Sequence, residues 1–515
     1  MWRFAFILLL TLEVCSQTIT FNKAIDFNTG LESGISVVEI DSGYVIMGFG
    51  NNYPLIGGWV GCVFIKTDSN GDTTLSNFYG KRTVNHFAGW AGSFIKISTY
   101  GYAIGVTEFD STRNNAKATL MRYTENGDTV FVKRFGGASD DLANEVIETP
   151  DKGFALIGKT TSFGIAFYLV KTDSLGNFEW QNTYVQSSDS RGLSIARAHD
   201  GGYIMSGWGY TPGYNRDIYV VKADSSGNEQ WKKRYGTKNE DGGAYINPSS
   251  DSSYIVWGRI DTFNLITTTG QKLWSNFIMK VDLSGEIVWR YITNYNWFQH
   301  IDMVREVAPG KGYIVAGGTY DSVYGAYNDY GWLLRLHNDG NIMWERKYAY
   351  PEEVGNNGLA FSAFDDIQPT RDGGFICLGN TFDVNSDFWL VKLDSLGCMG
   401  DYCGLTDTNC YYKPYPNCED DTVGINEPMN QHQGLRVYPN PSNDIINFST
   451  LSKYASVELI LLYDLQGKIL VEARNTNNLN IAHLPAGVYY YEVVIDDMML
   501  PSQRNYPVRG KVIKQ

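Results

Sequence analysis

Several kinds of chemistry are missing from this 515-residue chain. It has six histidines, none paired at metal-ligand spacing, and no H-E-x-x-H motif. No G-x-S-x-G, P-loop or complete G-x-G-x-x-G is present either, and Gly48-Phe-Gly50 lacks its third glycine. A zincin, an α/β-hydrolase or a nucleotide-cradling loop is therefore not written in any local motif, and no cofactor or metal is expected. Basic residues are in deficit, 42 against 56 acidic, for a net charge of −14. That balance argues against a nucleic-acid partner, which would require a basic face. Beyond the first dozen residues no apolar run approaches the ~18 residues of a membrane helix.

The N-terminal run itself reads as an export signal over residues 1–16: Arg3, an apolar stretch from Phe4 to Leu12, then Val14-Cys15-Ser16 as the cleavage site. Cysteine is scarce and unevenly placed. Cys62 and Cys377 lie in apolar strand runs and read as core. Cys398, Cys403, Cys410 and Cys418 cluster at spacings unlike a C-x-x-C zinc site, and two disulfides are expected in an exported chain.

What is abundant is a repeat. Turn glycines Gly71, Gly127, Gly176, Gly227, Gly285, Gly340 and Gly397 follow one another at 56, 49, 51, 58, 55 and 57 residues. The fourth copy is the clearest. An aromatic start (Tyr203) leads to a strand ending in Gly207, then an apolar strand with the tail Lys222-Ala-Asp224. A turn closes on Gly227, Trp231 follows four residues later, and Tyr235 eight. The tail recurs as Lys66-Thr-Asp68, Lys171-Thr-Asp173, Lys280-Val-Asp282 and Lys392-Leu-Asp394, but becomes Arg122-Tyr-Thr124 and Arg335-Leu-His337 in copies two and six. Seven units with a period near fifty predict an all-β, seven-bladed β-propeller. The glycines are expected to take the left-handed position of hairpin turns, with the aspartates capping nearby amides. Trp180, Trp231, Trp289 and Trp344 are expected to wedge between blades. Asp68-Ser-Asn70-Gly71-Asp72 looks like part of a calcium loop but lacks its closing glutamate, so it is read as one of these hairpins.

The seventh copy lacks its last strand, and residues 18–25 match that element alone, with Phe21 where Trp231 stands and Ile25 where Tyr235 stands. The N-terminal strand should therefore complete the seventh blade and close the ring. This sets the domains: signal 1–16, propeller 18–400, a Cys-containing linker 401–433, and a second domain 435–515.

Antiparallel order puts the tight, repetitive turns on one face. The variable loops at 51–59, 86–90, 208–214, 262–274, 294–300, 320–330 and 350–361 fall on the other. Loops on a rigid scaffold are where binding usually resides. The candidate ligand-binding residues are the loop-face aromatics Trp59, Trp90, Trp208, Tyr214, Trp297, Tyr324 and Tyr327, suited to a glycan or a protein surface; the plainer alternative is that they pack beneath the loops. His86 and His300 are the histidines of that face. Its acids Asp217, Asp261, Asp321, Asp329, Glu352, Glu353 and Asp387 leave a glycosidase or lyase open, but the catalytic residues are unknown. A purely structural surface component is a third reading.

Two resemblances follow from motifs. Val281-Asp282-Leu-Ser-Gly285-Glu-Ile-Val-Trp289 is similar to blades of quinoprotein dehydrogenases. Those enzymes commonly place adjacent cysteines over the cofactor, and this chain has no Cys-Cys pair, so the likeness speaks for fold rather than activity. From Leu435 onward the pattern is that of a small Ig-like β-sandwich. Val437-Tyr438-Pro439-Asn440-Pro441, Leu462-Tyr-Asp-Leu-Gln-Gly467-Lys and Leu484-Pro-Ala-Gly487-Val-Tyr489, followed by a basic tail, resemble the type A C-terminal sorting domain of the Bacteroidetes type IX secretion system. An insert at 496–507 departs from that pattern. The resemblance implies the secretion machinery and its sortase-like peptidase as partners. It also implies a secreted or surface-attached product with the sorting domain acting as an address. A monomer is expected.

Overall fold

A computed structural model describes residues 19–27, 30–52, 60–80, 84–88, 93–110, 115–185, 187–211, 215–261, 274–293, 299–321, 328–350, 361–382, 386–399, 435–438, 444–450, 455–463, 469–474, 476–497 and 505–514. The signal stretch and Cys403, Cys410 and Cys418 lie outside them. The chain divides into two compact units, residues 1–418 and 419–515.

The first unit is a seven-bladed propeller. Blade 4 sets the pattern: Ser190–Arg197, Tyr203–Tyr210, Arg216–Ala223 and Glu229–Tyr235 pair antiparallel in chain order. Blade 7 is built from Phe361–Pro369, Phe375–Phe382 and Ser386–Leu393, and its outer strand is the N-terminal Phe21–Ile25, in register from Phe21↔Lys392 to Ile25↔Phe388. The expected closure is thus what the chain does. Buried clusters straddle successive blades: one joins blades 3 and 4, another 4 and 5, and another 7 and 1.

Each repeated residue type has a task at a blade junction. The seven turn glycines have φ between 74° and 85°, the left-handed region where a side chain is strained. An aromatic from the preceding blade's outer strand covers most of them: Phe21 over Gly71, Phe131 over Gly176, Trp180 over Gly227, Trp231 over Gly285, Trp289 over Gly340 and Trp344 over Gly397. A Cβ on Gly227 would stand 2.6 Å from the Trp180 ring, so the ring itself demands glycine there. The tyrosine eight residues after the turn donates its hydroxyl to the next blade's glycine carbonyl, Tyr184 to Gly227 (2.5 Å), Tyr235 to Gly285 (2.6 Å) and Tyr348 to Gly397 (2.7 Å). The turn aspartates cap amides two and four residues on, as Asp224 does for Ser226 and Asn228.

The lysine of the tail is buried and neutralised by the aspartate of the other tight turn in its blade: Lys171–Asp151, Lys222–Asp200, Lys280–Asp251 and Lys392–Asp372. Copies two and six lack that aspartate and carry arginine. Arg335 instead donates to the carbonyls of Tyr313 (3.0 Å), Leu336 (2.6 Å) and Lys311. A buried cation must be paired or fully hydrogen-bonded, and the guanidinium has donors enough for backbone alone.

In the second unit two sheets face each other. One comprises Leu435–Tyr438, Ile445–Thr450 and Asn478–Asn480, the other Ile469–Arg474, Ala455–Tyr463, Gly487–Asp497 and Asn505–Lys514. Ile446, Phe448 and Leu479 from the first meet Ile460, Leu462, Tyr491 and Val493 from the second. The last strand pairs in unbroken register from Gly487↔Lys514 to Asp496↔Asn505, so the departure at 496–507 leaves this hairpin intact.

Candidate functional site

Of the seven loop-face aromatics, Trp208 alone falls on described residues. Trp59, Trp90, Tyr214, Trp297, Tyr324 and Tyr327 lie outside them. Trp208 is half-buried near the end of blade 4's second strand rather than in a loop. Its ring meets Tyr210 edge-on at 6.1 Å, and the Arg216 guanidinium lies 5.3 Å from the Trp208 ring centroid and 5.5 Å from that of Trp274. Arg216 is fixed in turn by an Nε–H bond to the Asp241 carbonyl at 2.7 Å. The result is an ordered aromatic–cation stack at the loop-face rim of blades 4 and 5.

The histidines expected in loops sit on strands. His86 is within Val84–Ala88, and His300 opens Ile301's strand, His300–Glu306. Burial disfavours the His300 imidazolium, but the Asp302 carboxylate 3.0 Å away outweighs it and raises the proton affinity. Of the loop-face acids, Glu352, Glu353 and the side chain of Asp321 lie outside the described residues. Asp217 is buried against Arg234 at 3.2 Å, and burial raises both Asp217 and Asp329 above the usual carboxylate range. Asp26, Glu32 and Asp387 each present an oxygen within 4.8 Å of the others, at the seam where the ring closes. This is the described acidic group that could hold a cation, and Glu32 also accepts the Phe27 N–H at 2.9 and 3.0 Å.

Sequence reasoning missed the axis of the ring. A cavity of about 550 Å³ is lined by the innermost strands of all seven blades. Its lining residues, such as Lys96, Glu148, Arg197, Pro248, Arg305 and Pro369, are drawn from the C-terminal halves of those strands. Those halves lead into the tight turns, so the cavity lies on the face opposite the variable loops.

At its deep end five inner strands carry a β-bulge. The extra residues are Ile35, Asn144, Leu193, Asp302 and Asp365. Bulges turn a side chain out of the ladder and recur beside functional sites. Three of the extra residues here are polar, Asn144, Asp302 and Asp365, and polar pairs gather around this waist. Arg191 Nη2 donates to Asn144 Oδ1 at 2.5 Å, and Asn144 Nδ2 to the Gly192 carbonyl at 2.6 Å. Arg305 holds buried Asp366 at 3.0 Å and the Ile367 carbonyl at 2.7 Å. Glu145 accepts the Ile195 N–H at 2.7 Å. Burial pushes its carboxyl up to about 8, so it keeps its proton near neutral pH. Burial also holds Asp365 well above the usual range, with the charges of Asp302 and Asp366 adding to it. The cavity wall is completed by Tyr245, stacked on Trp257 at 5.8 Å, and by Met303.

A sequence signal for this waist did exist. A glycine inside the second strand faces the bulge in these blades: a Cβ on Gly158, Gly317 or Gly379 would lie 1.8–1.9 Å from an inner-strand carbonyl. A lone glycine inside a strand commonly marks such close approach.

Comparison with known proteins bears on the second unit first. Residues 436–499 match the family described as "Secretion system C-terminal sorting domain". The chain is thus an exported β-propeller carrying a type IX secretion sorting domain, and its destination is the cell surface or the extracellular space. A search of curated proteins finds no match. Among solved structures the chain is similar to the WD40 domain of Neurospora crassa Pan2 (11% identity, 71% of this chain and 90% of that one, TM-score 0.39). It is similar also to the β-propeller domain of the Trilobed protease from Pyrococcus furiosus (9%, 75% and 93%, 0.32). A third is Synechocystis apocarotenoid oxygenase (11%, 74% and 91%, 0.40). Likenesses this distant carry no argument about activity, and the fold rests on the strand pairing above.

Proposed function

We propose that the protein is a secreted or surface-held recognition module whose propeller binds a glycan or a protein on its loop face. The observation that supports this reading is the Trp208–Arg216–Trp274 stack. An indole face packs against the C–H side of a sugar or an apolar side chain, while a fixed guanidinium next to it offers hydrogen bonds to hydroxyls or carboxylates. The other loop-face aromatics, Trp59, Trp90, Tyr214, Trp297, Tyr324 and Tyr327, extend this surface in the same proposal. Residues 1–16 act as the signal. Residues 18–400 form the working domain, 401–433 the linker, and 435–515 the address removed by a sortase-like peptidase. Cys398, which is buried and disulfide-bonded, pairs within the Cys403, Cys410 and Cys418 cluster. The source lies among the Bacteroidetes, and the product acts as a monomer.

One observation favours a second reading, a propeller enzyme such as a glycoside hydrolase or lyase. Glu145, in the channel wall, retains its proton as a general acid must, and Asp365 at a nearby bulge is likewise held above the usual carboxylate range. A quinoprotein-type oxidoreductase is the weaker form of that alternative.

A glycan array and a pull-down from intact cell surfaces, run with the full mature chain, test the proposal. Trp208→Ala and Arg216→Ala are expected to lose binding by tenfold or more, while the turn variant Ser225→Ala keeps it. Equal loss from the turn variant would reject the loop-face site. Turnover of a bound glycan that vanishes in Glu145→Gln would favour the enzyme.

A further inference from the structure

The axial cavity lies on the face opposite the proposed loop-face site, and it is built for a ligand of different chemistry. Its mouth is ringed by the last residues of the inner strands, where three neighbouring blades contribute Lys96, Glu148 and Arg197. Lys96 and Arg197 are exposed, and neither makes a hydrogen bond or ion pair with a described residue. Glu148, between them in blade order, is already committed: it accepts the Ser98 N–H at 2.9 Å and the Ser98 hydroxyl at 2.7 Å. Glu39 of blade 1, on the other side of Lys96 in blade order, is likewise engaged, accepting the Arg371 N–H at 3.0 Å. The remaining charge deeper in, Arg305, is spent on Asp366 and a backbone carbonyl. Two cations stand against two carboxylates, so the rim has no net charge; what it offers an anion is the uncommitted N–H donors of Lys96 and Arg197, and the flanking carboxylates oppose a dianion more than a monoanion.

The interior changes character. The Tyr245 ring lies against Trp257, and Met303 adds an apolar wall. The Tyr245 hydroxyl makes no hydrogen bond with a described residue, so it offers a donor to whatever enters. An entrance of cationic donors over an aromatic interior selects an amphiphilic acid, its charge held at the rim and its body desolvated within.

We propose that the tight-turn half of the channel is a second ligand site, which takes a carboxylate-bearing molecule with an aromatic or apolar body. The carboxylate sits between Lys96 and Arg197, and the body lies along Tyr245 and Met303. The about 550 Å³ of space accommodates a small aromatic acid or the last two or three residues of a peptide. Both sources present the same chemistry, a monoanionic carboxylate beside an apolar group.

The test is calorimetric titration of the full mature chain with 3-phenylpropanoate, 3-phenylpropanamide, phenyl phosphate, and a tripeptide ending in phenylalanine with either a free or an amidated C-terminus. The acid or the free-carboxylate peptide should bind, and its amide should bind at least about tenfold more weakly, the usual weight of a charge-assisted hydrogen bond. Which of the two binds more tightly identifies the source. Lys96→Gln and Arg197→Gln should each lower affinity about tenfold, with partial rescue by Arg197→Lys. Both residues are exposed, so these variants should fold, and unchanged melting temperatures would show it. Lys152→Gln, altering an exposed lysine of the adjacent turn that donates to Ser98, and Trp208→Ala on the opposite face should leave binding unchanged. Failure of the loop-face reading would thus not affect this one. No binding by either carboxylate, equal binding of acid and amide, tighter binding of phenyl phosphate, or full affinity in Lys96→Gln and Arg197→Gln would each overturn the proposal.

Discussion

Ring closure by five residues makes a specific demand on Phe21 and Asn22. Phe21 is half-buried, covers Gly71 of blade 1, and meets Tyr44 edge-on at 6.0 Å. Truncating a fully buried phenylalanine costs about 3–5 kcal/mol, and half that exposure change brings the expectation for Phe21→Ala to about 2 kcal/mol. Asn22 Oδ1 accepts the indole N–H of Trp389 at 2.5 Å, and Asn22 Nδ2 reaches the Ala349 carbonyl of blade 6 at 3.2 Å. Trp389 is fully buried and stacked on Phe364 at 4.4 Å, so Asn22→Ala strands a buried donor at about 1–3 kcal/mol. The double variant should lose about 3–5 kcal/mol, a large part of an ordinary domain's stability. Phe131→Ala changes the same repeat position in a blade whose strands are continuous in sequence, and it serves as the comparison. Thermal melting reads the loss. Amide exchange reads its location: in the double variant Ser386–Leu393 should exchange markedly faster than Ala166–Thr172 of blade 3, whereas Phe131→Ala should not single out blade 7. If the double variant melts as the parent does, or blade 7 keeps its protection, the N-terminal strand is not what closes the ring.

Two further outcomes are expected. Glu145 binds its proton up to about pH 8 when folded against an ordinary 4.5, so between those values the native state holds more protons and stability falls as pH rises. The slope is at most about 1.4 kcal/mol per pH unit, and Glu145→Gln should flatten it in denaturant titrations across that window; parallel curves would place the carboxyl in contact with solvent. The turn aspartates act oppositely: burial works against Asp151, yet Lys171 outweighs it and holds the carboxyl at about 2, so that contribution is lost only in strong acid. For export, truncation after Gln433 should leave a folded propeller in the periplasm, and fusion of residues 435–515 to another exported protein should carry it outward. Appearance of the truncated chain in the medium would refute the dependence.

The blade count, the closing strand and the turn chemistry were legible because each is local. A glycine at positive φ, an aspartate two residues before an amide, and an aromatic four residues after a turn are fixed by short-range sterics repeated seven times. The buried tryptophans were less legible. Trp231, chosen from its place in the repeat, is half-buried over Gly285, and its truncation should cost less than the about 3–5 kcal/mol of a core ring. Among the described residues the fully buried ones are Trp257, Trp332 and Trp389; Trp332 and Trp389 share a repeat position three residues before the tail cation, where other blades carry Tyr168 and Tyr219. Assigning His86 and His300 to loops failed because their strands, Val84–Ala88 and His300–Glu306, begin before the apolar pattern does.

The two faces also carry information differently from what the repeat suggests. Turns that repeat one solution seven times invite the inference that their face is uniform, and for the turns themselves it is. The inner strands entering those turns are not uniform: their last two positions carry Glu39, Lys96, Glu148, Arg197, Ser249, Glu306 and Pro369. Their side chains converge because a ring places seven strand ends around one axis, however far apart they stand in sequence. Glu148 and Glu306 are fixed by serines of the preceding blade, Ser98 and Ser250, whereas Lys96 and Arg197 have no such tie. Convergence without a short-range constraint is invisible to any local motif, and a closed ring gathers such residues at its axis as well as on its loop face.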